Sequence, residues 1–439
     1  MTTEVVVLGG GYVGVWSARR IARDLGAGRI RDARVTLVSA CLEHSFHGWT
    51  AEVITGHVRP ERARVPLTRL LPDVGIVHGS VRQVDLQRRV VEVATDAGIR
   101  RLSYDHLVLG VGSRDAVERV PGLAELGFSL KDPEGLAALR DHLSGIVRLA
   151  AASPDPEERQ RLLTVVVAGA GFTGVEAATA IAQRLRSAVA AHPLLAGSAP
   201  RVVLAHSGAK PLPSLRPRFS RIADYASAQA QRAGVELHDR TRLVEVTEEG
   251  ADLDESGFIR SATVVTTIGQ TPVALPGTES LDRDASSRLV TDRFLRVAPG
   301  VWAGGDVAAV PHPTNGGACP ANALWAIFHG RRIGSNIARV LRGRRPAPFR
   351  FPGLGQGASL GVGRGAAELY GISLTGWPAW IARWVFFHWF MPSHGVGLAT
   401  AVEWFRGAVH EPVELRGQLA PAPPAAAAAA PPAAAAAAM

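Results

Sequence analysis

Two runs of consecutive apolar residues, each followed by a glycine-rich turn, stand out in the hydrophobic pattern of the chain. Residues 5–8 read Val-Val-Val-Leu, and residues 164–168 read Thr-Val-Val-Val-Ala. An unbroken apolar run of this length is typical of a parallel strand that is buried on both faces. After each turn, small and apolar residues recur with helical spacing. The pattern therefore predicts a strand, a glycine turn and a helix at two places in the chain.

The rest of the pattern predicts an α/β fold, in which strands alternate with helices. Further strands are predicted at residues 34–38, 104–109, 201–205, 243–246, 262–268 and 300–303, with a small antiparallel excursion over 74–86 and 90–94. Helices are predicted over 65–71, 134–151 and 321–341, and residues 153–158 are predicted to be a polar connection.

The same pattern divides the chain into domains. We expect a discontinuous first domain of residues 1–125 and 280–345, which is interrupted by a second domain of residues 126–279. A C-terminal segment follows over residues 346–415. Residues 416–439 are almost only Ala and Pro, and a tail of this composition is expected to be disordered.

Both glycine turns have the spacing Gly-x-Gly-x-x-Gly, which is typical of dinucleotide-binding folds. The first glycine permits the tight turn, the second lets the backbone approach a pyrophosphate, and the third lets helix and strand pack closely. The N-terminus of the following helix offers free N–H groups to the phosphates. Two such turns predict two bound nucleotides, held by Gly9, Gly10, Gly11 and Gly14 in the first domain and by Gly169, Gly171 and Gly174 in the second.

The end of the second strand of such a fold normally carries an acidic residue for the ribose hydroxyls. In the first domain this position is Ser39, which can form a hydrogen bond but not a charged one. In the second domain it is His206, with Ser207 and Lys210 close by and no carboxylate in the local sequence to repel a 2′-phosphate. The alternative is that His206 is a solvated loop residue. The choice between NADH and NADPH is therefore left open.

Composition limits the function classes that fit. With 47% hydrophobic and 20% charged residues over 439 positions, the chain is long enough for two or three folded domains. The net charge of +9 comes mostly from scattered Arg residues, which argues against nucleic acid and suits an anionic membrane surface or anionic cofactors. An Arg-rich proteome would give the same charge.

The cysteines and the hydrophobic runs limit the location of the protein. Cys41 and Cys319 are the only cysteines, so we expect no disulfide framework and no metal site. No signal peptide and no run of about twenty apolar residues is visible, so a cytoplasmic protein without a transmembrane helix is expected.

These motifs resemble the flavoproteins with two dinucleotide-binding domains, and in particular the type II (non-proton-pumping) NADH:quinone oxidoreductases. The first glycine turn and the segments Gly112-Ser113-Arg114 and Gly304-Gly305-Asp306 match the FAD-binding segments of that family. The second turn matches its nicotinamide-nucleotide motif. The resemblance assigns Glu176 as the acidic residue near the nicotinamide, and it adds as cofactor-binding residues His44, Gly269 and Ala323.

The helix after Gly-Gly-Asp departs from the family pattern. The family carries two glutamines that line its quinone pocket, and Leu324 and Phe328 replace them here. The resemblance therefore predicts a quinone that contacts Leu324 and stacks on Trp325 or Phe328, without the polar contacts.

The C-terminal segment resembles the membrane-anchoring helices of the same family. Trp377, Trp380, Ile381, Trp384 and Phe387 recur with spacings of three and four, as do Val396, Ala399, Val402 and Phe405. The first helix, between Pro378 and Pro392, is too short to cross a bilayer, so it is predicted to lie in the membrane–water interface. The alternative is a core or dimer-interface pair of helices.

Together these features predict a peripheral enzyme on the inner face of the cell membrane, which acts through a flavin and needs no protein nucleophile. NAD(P)H would reduce FAD, which would pass electrons to a membrane quinone. One alternative is a soluble FAD-dependent NAD(P)H reductase of a ferredoxin-like protein or of oxygen, and another is a flavin-binding signalling protein. A homodimer is left open.

Overall fold

The structure is a computed structural model that describes residues 2–131, 133–216, 218–391 and 393–409. The predicted tail of residues 416–439 and the side chain of Phe405 lie outside the described residues. The described helices are α1 (Tyr12–Gly26), α2 (Thr50–Thr55), α3 (Leu67–Leu70), α4 (Leu123–Leu126), α5 (Pro133–Ala152), α6 (Pro156–Leu162), α7 (Phe172–Ala191), α8 (Ser220–Arg232), α9 (Ala323–Val340), α10 (Trp377–Phe390) and α11 (His394–Val409).

The strands of the first half are β1 (Thr3–Leu8), β2 (Ala33–Ser39), β3 (Glu43–Ser45), β4 (Arg64–Pro66), β5 (Gly75–His78), β6 (Ser80–Asp85), β7 (Val90–Thr95), β8 (Gly98–Ser103), β9 (His106–Leu109), β10 (Ser113–Asp115), β11 (Gly127–Ser129), β12 (Thr164–Ala168), β13 (Arg201–His206) and β14 (Val235–Asp239). They are followed by β15 (Leu243–Thr247), β16 (Gly250–Leu253), β17 (Gly257–Arg260), β18 (Thr263–Thr266), β19 (Gln270–Pro272), β20 (Leu289–Val290), β21 (Arg296–Ala298), β22 (Val301–Ala303), β23 (Ala308–Ala309), β24 (Gly355–Ser359), β25 (Gly365–Leu369) and β26 (Ile372–Gly376).

The chain forms two compact units. Unit 1 comprises residues 1–46, 64–114 and 270–353, and unit 2 comprises residues 47–63, 115–269 and 354–439, each within the described ranges. The chain returns to unit 1 at Gln270.

Unit 1 is built on a six-stranded sheet with the order β21-β22-β9-β1-β2-β5. Strand β1 pairs in parallel with β2 on one side and with β9 on the other. Its residues Val5 to Leu8 are at most 2% exposed, as the unbroken apolar run predicts. A separate antiparallel sheet, β6-β7-β8, forms the excursion, which continues beyond Ala94 through the third strand.

Unit 2 is built on a five-stranded parallel sheet with the order β11-β18-β12-β13-β14. Strand β12 lies at its centre and is fully buried. The predicted α/β fold with two dinucleotide-binding units is therefore confirmed, since each glycine turn follows a strand that pairs in parallel with both of its neighbours.

Three local predictions are wrong. Residues 65–71 begin as strand β4 before the short helix α3, because Val65 pairs with His44 of strand β3. The predicted connection at 153–158 runs into helix α6, which Asp155 caps by accepting a hydrogen bond from Glu157 N at 2.9 Å. Helix α9 begins at Ala323 instead of 321, because Asn322 is its N-cap.

The C-terminal part of unit 2 consists of the antiparallel sheet β24-β25-β26 and the helices α10 and α11. Within the described ranges, no helix combines the length and the apolar character that crossing a bilayer requires.

Candidate functional site

The first glycine turn connects β1 to α1 in unit 1, and its geometry requires glycine at two positions. Gly9 has φ +100°, and a Cβ there would lie 2.5 Å from Gly110 O. A Cβ at Gly14 would lie 1.8 Å from Gly9 O. By contrast, a Cβ at Gly11 would meet no atom within 4 Å, and no side chain caps the N-terminus of α1. The turn therefore leaves backbone N–H groups facing open space.

Ser39 at the end of β2 and His44 on β3 lie beside this turn. The His44 Nδ1–H donates to Gly10 O at 2.9 Å, and the buried ring lies edge-on to Tyr12 with 4.8 Å between ring centroids. The Ser39 hydroxyl donates to Cys41 O at 2.6 Å and accepts from Cys41 N at 3.3 Å, so its hydrogen bonds stay within its own loop. Both predicted residues lie beside the turn, His44 as a support for its backbone.

Asp306 and Ser113, two residues of the predicted flavin site, meet in unit 1. The Ser113 hydroxyl lies 2.8 Å from Asp306 Oδ2 and 2.6 Å from Gln270 Oε1. Gly112, with φ +74°, has open space around its Cα, whereas exposed Arg114 follows on strand β10. The polar ends of two separate segments of unit 1 thus come together.

His329 on α9 is a residue of this site that the sequence did not reveal. Its Nδ1 accepts a hydrogen bond from Gly305 N at 3.1 Å, and the ring is 1% exposed. Burial lowers the pKa of His329 to about 3, so the ring is neutral and its Nδ1 remains an acceptor at neutral pH. A lone histidine on a largely apolar helix face gave no pattern to distinguish it from a core residue.

The predicted quinone contacts on α9 are occupied by other rings of unit 1. Trp325 is 6% exposed and lies edge-on to Phe351, with 5.1 Å between centroids. Phe328 stacks on Phe351 at 3.7 Å, with an angle of 3° between the planes. Asn322 accepts from Trp325 N at 3.2 Å, so one N–H group near Ala323 already has a partner. Leu324 is half-buried.

The second glycine turn connects β12 to α7 in unit 2 and repeats the geometry of the first. Gly169 has φ +101°, and a Cβ at Gly174 would lie 1.8 Å from Gly169 O. Gly171 has open space around it, and no side chain caps α7. Thr267, after β18, donates to Gly169 O at 2.8 Å. Gly269, which has φ +118°, ends the same segment and accepts a hydrogen bond from Ala116 N at 3.2 Å.

His206 lies at the end of β13 with an acidic partner from the next strand. Strand β13 pairs in parallel with β14, so that His206 faces Asp239. The His206 Nε2–H donates to Asp239 Oδ1 at 2.7 Å; the histidine side chain is 6% exposed and the aspartate side chain 44%. The expectation of no carboxylate at this position is therefore wrong, and His206 is a buried, paired residue. A local sequence window could not show a carboxylate that lies 33 residues further along the chain.

Glu176, on the first turns of α7, belongs to a buried ion cluster in unit 2. The Arg383 guanidinium donates to Glu52 Oε1 at 2.9 Å and to Gly48 O at 3.0 Å, and it lies 3.0 Å from Glu176 Oε1. Ser359 N donates to the same oxygen of Glu176 at 2.6 Å. Neither Arg383 nor the ionic role of Glu52 was predicted, because the three residues of the cluster are far apart in sequence.

The charges of this cluster do not balance when all three groups are ionised, because one guanidinium faces two carboxylates. Burial raises the pKa of Glu176 and the neighbouring Glu52 carboxylate raises it further, while Arg383 and the Ser359 N–H act in the opposite direction. The pKa of Arg383 is raised, since the two carboxylates outweigh its burial. Glu176 is therefore the carboxyl group of unit 2 that holds a proton more readily than an ordinary glutamate.

The model of the pyridine nucleotide-disulphide oxidoreductase family matches residues 3–328. The chain belongs to this family. Family membership implies a flavin and a pyridine nucleotide as bound groups. A redox disulfide has no counterpart here, because Cys41 and Cys319 are both free and burial raises the pKa of the Cys319 thiol to about 12.

The relatives of the chain bear out the predicted resemblance to the type II enzymes. An NADH dehydrogenase-like protein of Mycobacterium tuberculosis is 33% identical over 315 residues, which are 70% of this chain and 73% of the relative. A type II NADH:quinone oxidoreductase of the same organism is 27% identical over 408 residues, covering 88% and 83%. The solved structure of NDH2 from Plasmodium falciparum in complex with NADH has a TM-score of 0.83 at 13% identity and covers 93% of this chain and 98% of its own, which shows the same fold.

The two turns fit dinucleotides on the geometry of this chain alone. A Cβ at Gly11 or at Gly171 would lie in open space. A Cβ at the first or third glycine of either turn would clash with backbone atoms. Each turn begins a helix without a side-chain cap, so its N–H groups are available to a pyrophosphate. Either turn therefore fits the pyrophosphate of a dinucleotide.

Proposed function

We propose that the protein is an FAD-dependent NADH dehydrogenase that passes electrons to a membrane quinone. The observation that carries the proposal is the matched pair of uncapped glycine turns, one in each unit, in a chain of this family. The relatives named type II NADH:quinone oxidoreductases support the same activity. FAD supplies the chemistry when bound, since it accepts a hydride from a nicotinamide and returns electrons singly or in pairs.

The residues of unit 1 would bind and orient the FAD. The backbone N–H groups that follow Gly11 would bind its pyrophosphate. His44 fixes the turn by donating a hydrogen bond to Gly10 O. Asp306, in contact with Ser113, would accept hydrogen bonds from the ribityl hydroxyls. Neutral His329 holds the Gly305 amide and so fixes the backbone just before Asp306. Gly112 and Arg114 would border the cofactor.

The residues of unit 2 would bind the nicotinamide nucleotide and handle a proton. The turn at Gly171 would bind the pyrophosphate, with Gly169, Gly174 and Gly269 shaping the backbone around it. The raised pKa makes Glu176 easier to protonate than an ordinary glutamate, and Arg383 fixes its carboxyl oxygen. We assign Glu176 the role of exchanging the proton that accompanies electron transfer.

The preferred nucleotide in this proposal is NADH. The carboxylate of Asp239 lies beside His206 at the end of β13, where the ribose of the nucleotide is expected. A 2′-phosphate placed there would meet a partly exposed negative charge, whereas the two hydroxyls of NADH would find an acceptor.

The C-terminal helices support attachment to the inner face of the cell membrane. On α10, the exposed side chains recur every four residues at Trp377, Ile381, Val385 and Trp389. Leu398 and Val402 continue the exposed apolar surface on α11. A helix with one exposed stripe of Trp and aliphatic side chains suits the membrane–water interface.

This stripe differs from the predicted one because Trp380 contacts Trp404 and because Ala379 and Arg383 are buried.

For the quinone we retain Leu324 as the contact on α9, since Trp325 and Phe328 already contact other rings. A homodimer and the predicted domain boundaries stay proposals.

The proposal is tested by anaerobic reduction of the flavin-loaded protein. We expect NADH to bleach the flavin absorbance faster than NADPH, and a short-chain quinone analogue to restore it. If NADH bleaches the flavin and the quinone analogue does not restore its absorbance, the electron acceptor is a ferredoxin-like protein or oxygen instead of a quinone. A protein that binds no flavin, or whose flavin neither nucleotide reduces, would contradict the enzymatic function.

A further inference from the structure

Two adjoining cavities lie between α1 and α9 on unit 1, and Trp16 in the lining of the first contacts His44 with 5.6 Å between ring centroids. Each has a volume of about 340 Å³. Arg20 and Arg331 border both, so the cavities share a wall. The first is lined by Trp16, Arg19, Arg20, Arg23 and Arg331, and the second by Arg20, Phe328, Arg331, Arg332, Ser335, Phe349 and Phe351.

The cavities concentrate positive charge. Five arginines line them, and among the described lining residues none is acidic. Asp24 pairs with Arg20 at 3.2 Å and also with Arg29, outside the lining, at 2.8 Å. Burial lowers the pKa of Arg331, and the neighbouring Arg23 and Arg19 lower it further. Charges that repel one another in a concave site are stabilised by a multivalent anion.

The site is distinct from the glycine turn of the same helix. Arg19 and Arg23 follow Gly11 by eight and twelve residues, which places them about 12 to 18 Å along the helix axis at about 1.5 Å per residue. Their spacing with Trp16 and Arg20 makes one face of α1. On α9, Phe328, Arg331 and Arg332 form the matching face.

The second cavity adds an aromatic wall to the charges. Phe328 and Phe351 are stacked in parallel at 3.7 Å, and the Arg331 guanidinium lies 5.3 Å from the centroid of the Phe328 ring. Phe349, at the base, is 6% exposed. Aromatic and cationic side chains in one cavity suit a ligand with a planar ring and several phosphates.

We propose that these cavities form a binding site for a nucleoside di- or triphosphate, with the phosphates among the arginines of α1 and the base against the aromatic wall. The cavity volumes are in the range of small-ligand sites. The site is independent of the proposed redox function, and a ligand here would contact α1 and α9, the two helices that begin at the flavin-binding segments. It would give the enzyme a site that responds to nucleotide levels.

Calorimetric titration with ATP tests the proposal on the flavin-loaded protein. Saturating NAD⁺ is present, so that ATP does not enter the dinucleotide site of unit 2. We expect binding of ATP that Arg19→Gln/Arg331→Gln weakens at least about 10-fold. The control Arg82→Gln/Arg100→Gln removes the same charge from the exposed sheet β6-β7-β8 of unit 1 and should leave the affinity unchanged.

A second comparison separates the two halves of the site. Phe351→Ala should weaken the binding of ATP several-fold and leave the binding of inorganic tripolyphosphate unchanged, because tripolyphosphate has no base. Equal weakening by both double variants would show general charge attraction and overturn the proposal. Absence of ATP binding would overturn it as well. So would binding of anionic phosphatidylglycerol vesicles that depends on Arg19 and Arg331 without any binding of ATP, since the site would then serve a lipid headgroup. The rate of flavin reduction by NADH measures the redox function separately.

Discussion

The two units present the same backbone turn to their ligands but surround it with different side chains. Gly9 and Gly169 have φ +100° and +101°, and a Cβ on Gly14 or Gly174 would lie 1.8 Å from the preceding glycine oxygen in both cases. In unit 1 the supporting contacts include neutral His329, with its pKa of about 3, and the single carboxylate Asp306, which contacts Ser113. In unit 2 the neutral Thr267 hydroxyl supports the turn, and Glu176 on the following helix adds a buried ion pair with Arg383.

The difference indicates which part of each site is generic. Pyrophosphate binding needs only backbone N–H groups and the helix N-terminus, which the turn provides in both units. The hydrogen-bonded pair His206–Asp239 and the cluster around Arg383 occur only in unit 2, among the described residues. We infer that unit 1 binds its cofactor mainly through the backbone of its turn, and that unit 2 adds side-chain charge to select a nucleotide and to bind a proton.

The largest effect is expected where the two turns are alike. Gly11→Val and Gly171→Val would each place a side chain in the open space in front of a turn, without a clash with the protein. Gly11→Val should abolish flavin binding, measured as yellow colour of the purified protein. Gly171→Val should keep the flavin but lower kcat/KM for NADH at least about 100-fold.

Matched controls for this pair lie elsewhere on helices of the same units. Gly26→Val, at the far end of α1, and Gly145→Val, on α5, introduce the same side chain at positions where an added Cβ meets no atom closer than 4.0 Å. Both should keep flavin and activity. If Gly171→Val lost flavin or Gly11→Val kept it, the assignment of cofactor to unit would be wrong.

The second prediction tests the buried charges that distinguish unit 2. Arg383→Met leaves the Glu52 and Glu176 carboxylates without their shared partner, which should lower the free energy of unfolding by about 3–5 kcal/mol. The pKa of Glu176 should rise further, because Arg383 lowers it in the native protein. A raised carboxyl pKa favours the folded state at low pH and loses that contribution as pH rises.

The decrease in the free energy of unfolding that Arg383→Met causes is therefore expected to be largest at neutral pH. It should become smaller as pH falls toward the ordinary glutamate pKa of 4.5. Thermal unfolding over a pH series measures it. Arg364→Met, at an exposed position of unit 2, should change stability by less than about 0.5 kcal/mol. Adding Glu52→Gln to Arg383→Met should restore part of the stability. A variant as stable as the native protein would mean that the cluster carries no uncompensated charge.

These contrasts also explain what the sequence could predict. The glycine turns are local patterns, and the apolar runs before them lie at the centres of the sheets, so both could be predicted from a few adjacent residues. Asp155 followed by Pro156 is also a local signal, which indicates the N-terminus of a helix, although the polar composition predicts a connection there. The charged groups of unit 2 could not be predicted in this way.

Their partners meet only through tertiary structure. Asp239 faces His206 because of the register between β13 and β14, which no window of sequence contains. Arg383 lies on a C-terminal helix whose apolar spacing suggested an amphipathic face, and its burial against Glu52 rotates the exposed stripe away from the predicted one. Spacing gives the period of a helix, whereas its partners decide which face is buried.

The third prediction concerns nucleotide choice in unit 2. Asp239→Asn removes the negative charge beside His206 while it keeps a polar side chain of the same size. The ratio of kcat/KM for NADH to that for NADPH should fall about 10-fold, which corresponds to about 1.4 kcal/mol. Glu255→Gln, at an exposed turn of the same unit, should leave the ratio unchanged. An unchanged ratio in Asp239→Asn would show that the carboxylate does not face the 2′ position.

The smallest effect is expected at the corresponding position of unit 1. Ser39 ends β2 as His206 ends β13, but its hydroxyl already bonds to Cys41 N and O within its own loop. Ser39→Ala should therefore change the FAD dissociation constant by less than about 3-fold, because no hydrogen bond to the ribose is lost. Titration of the apoprotein with FAD measures this. Since a Cβ on neighbouring Gly10 would lie only 2.7 Å from the serine oxygen, the loop has little room to reorient the hydroxyl toward a ligand. A loss of more than about 10-fold would mean that Ser39 binds the ribose directly, and the two units would then select their nucleotides at the same position instead of by different means.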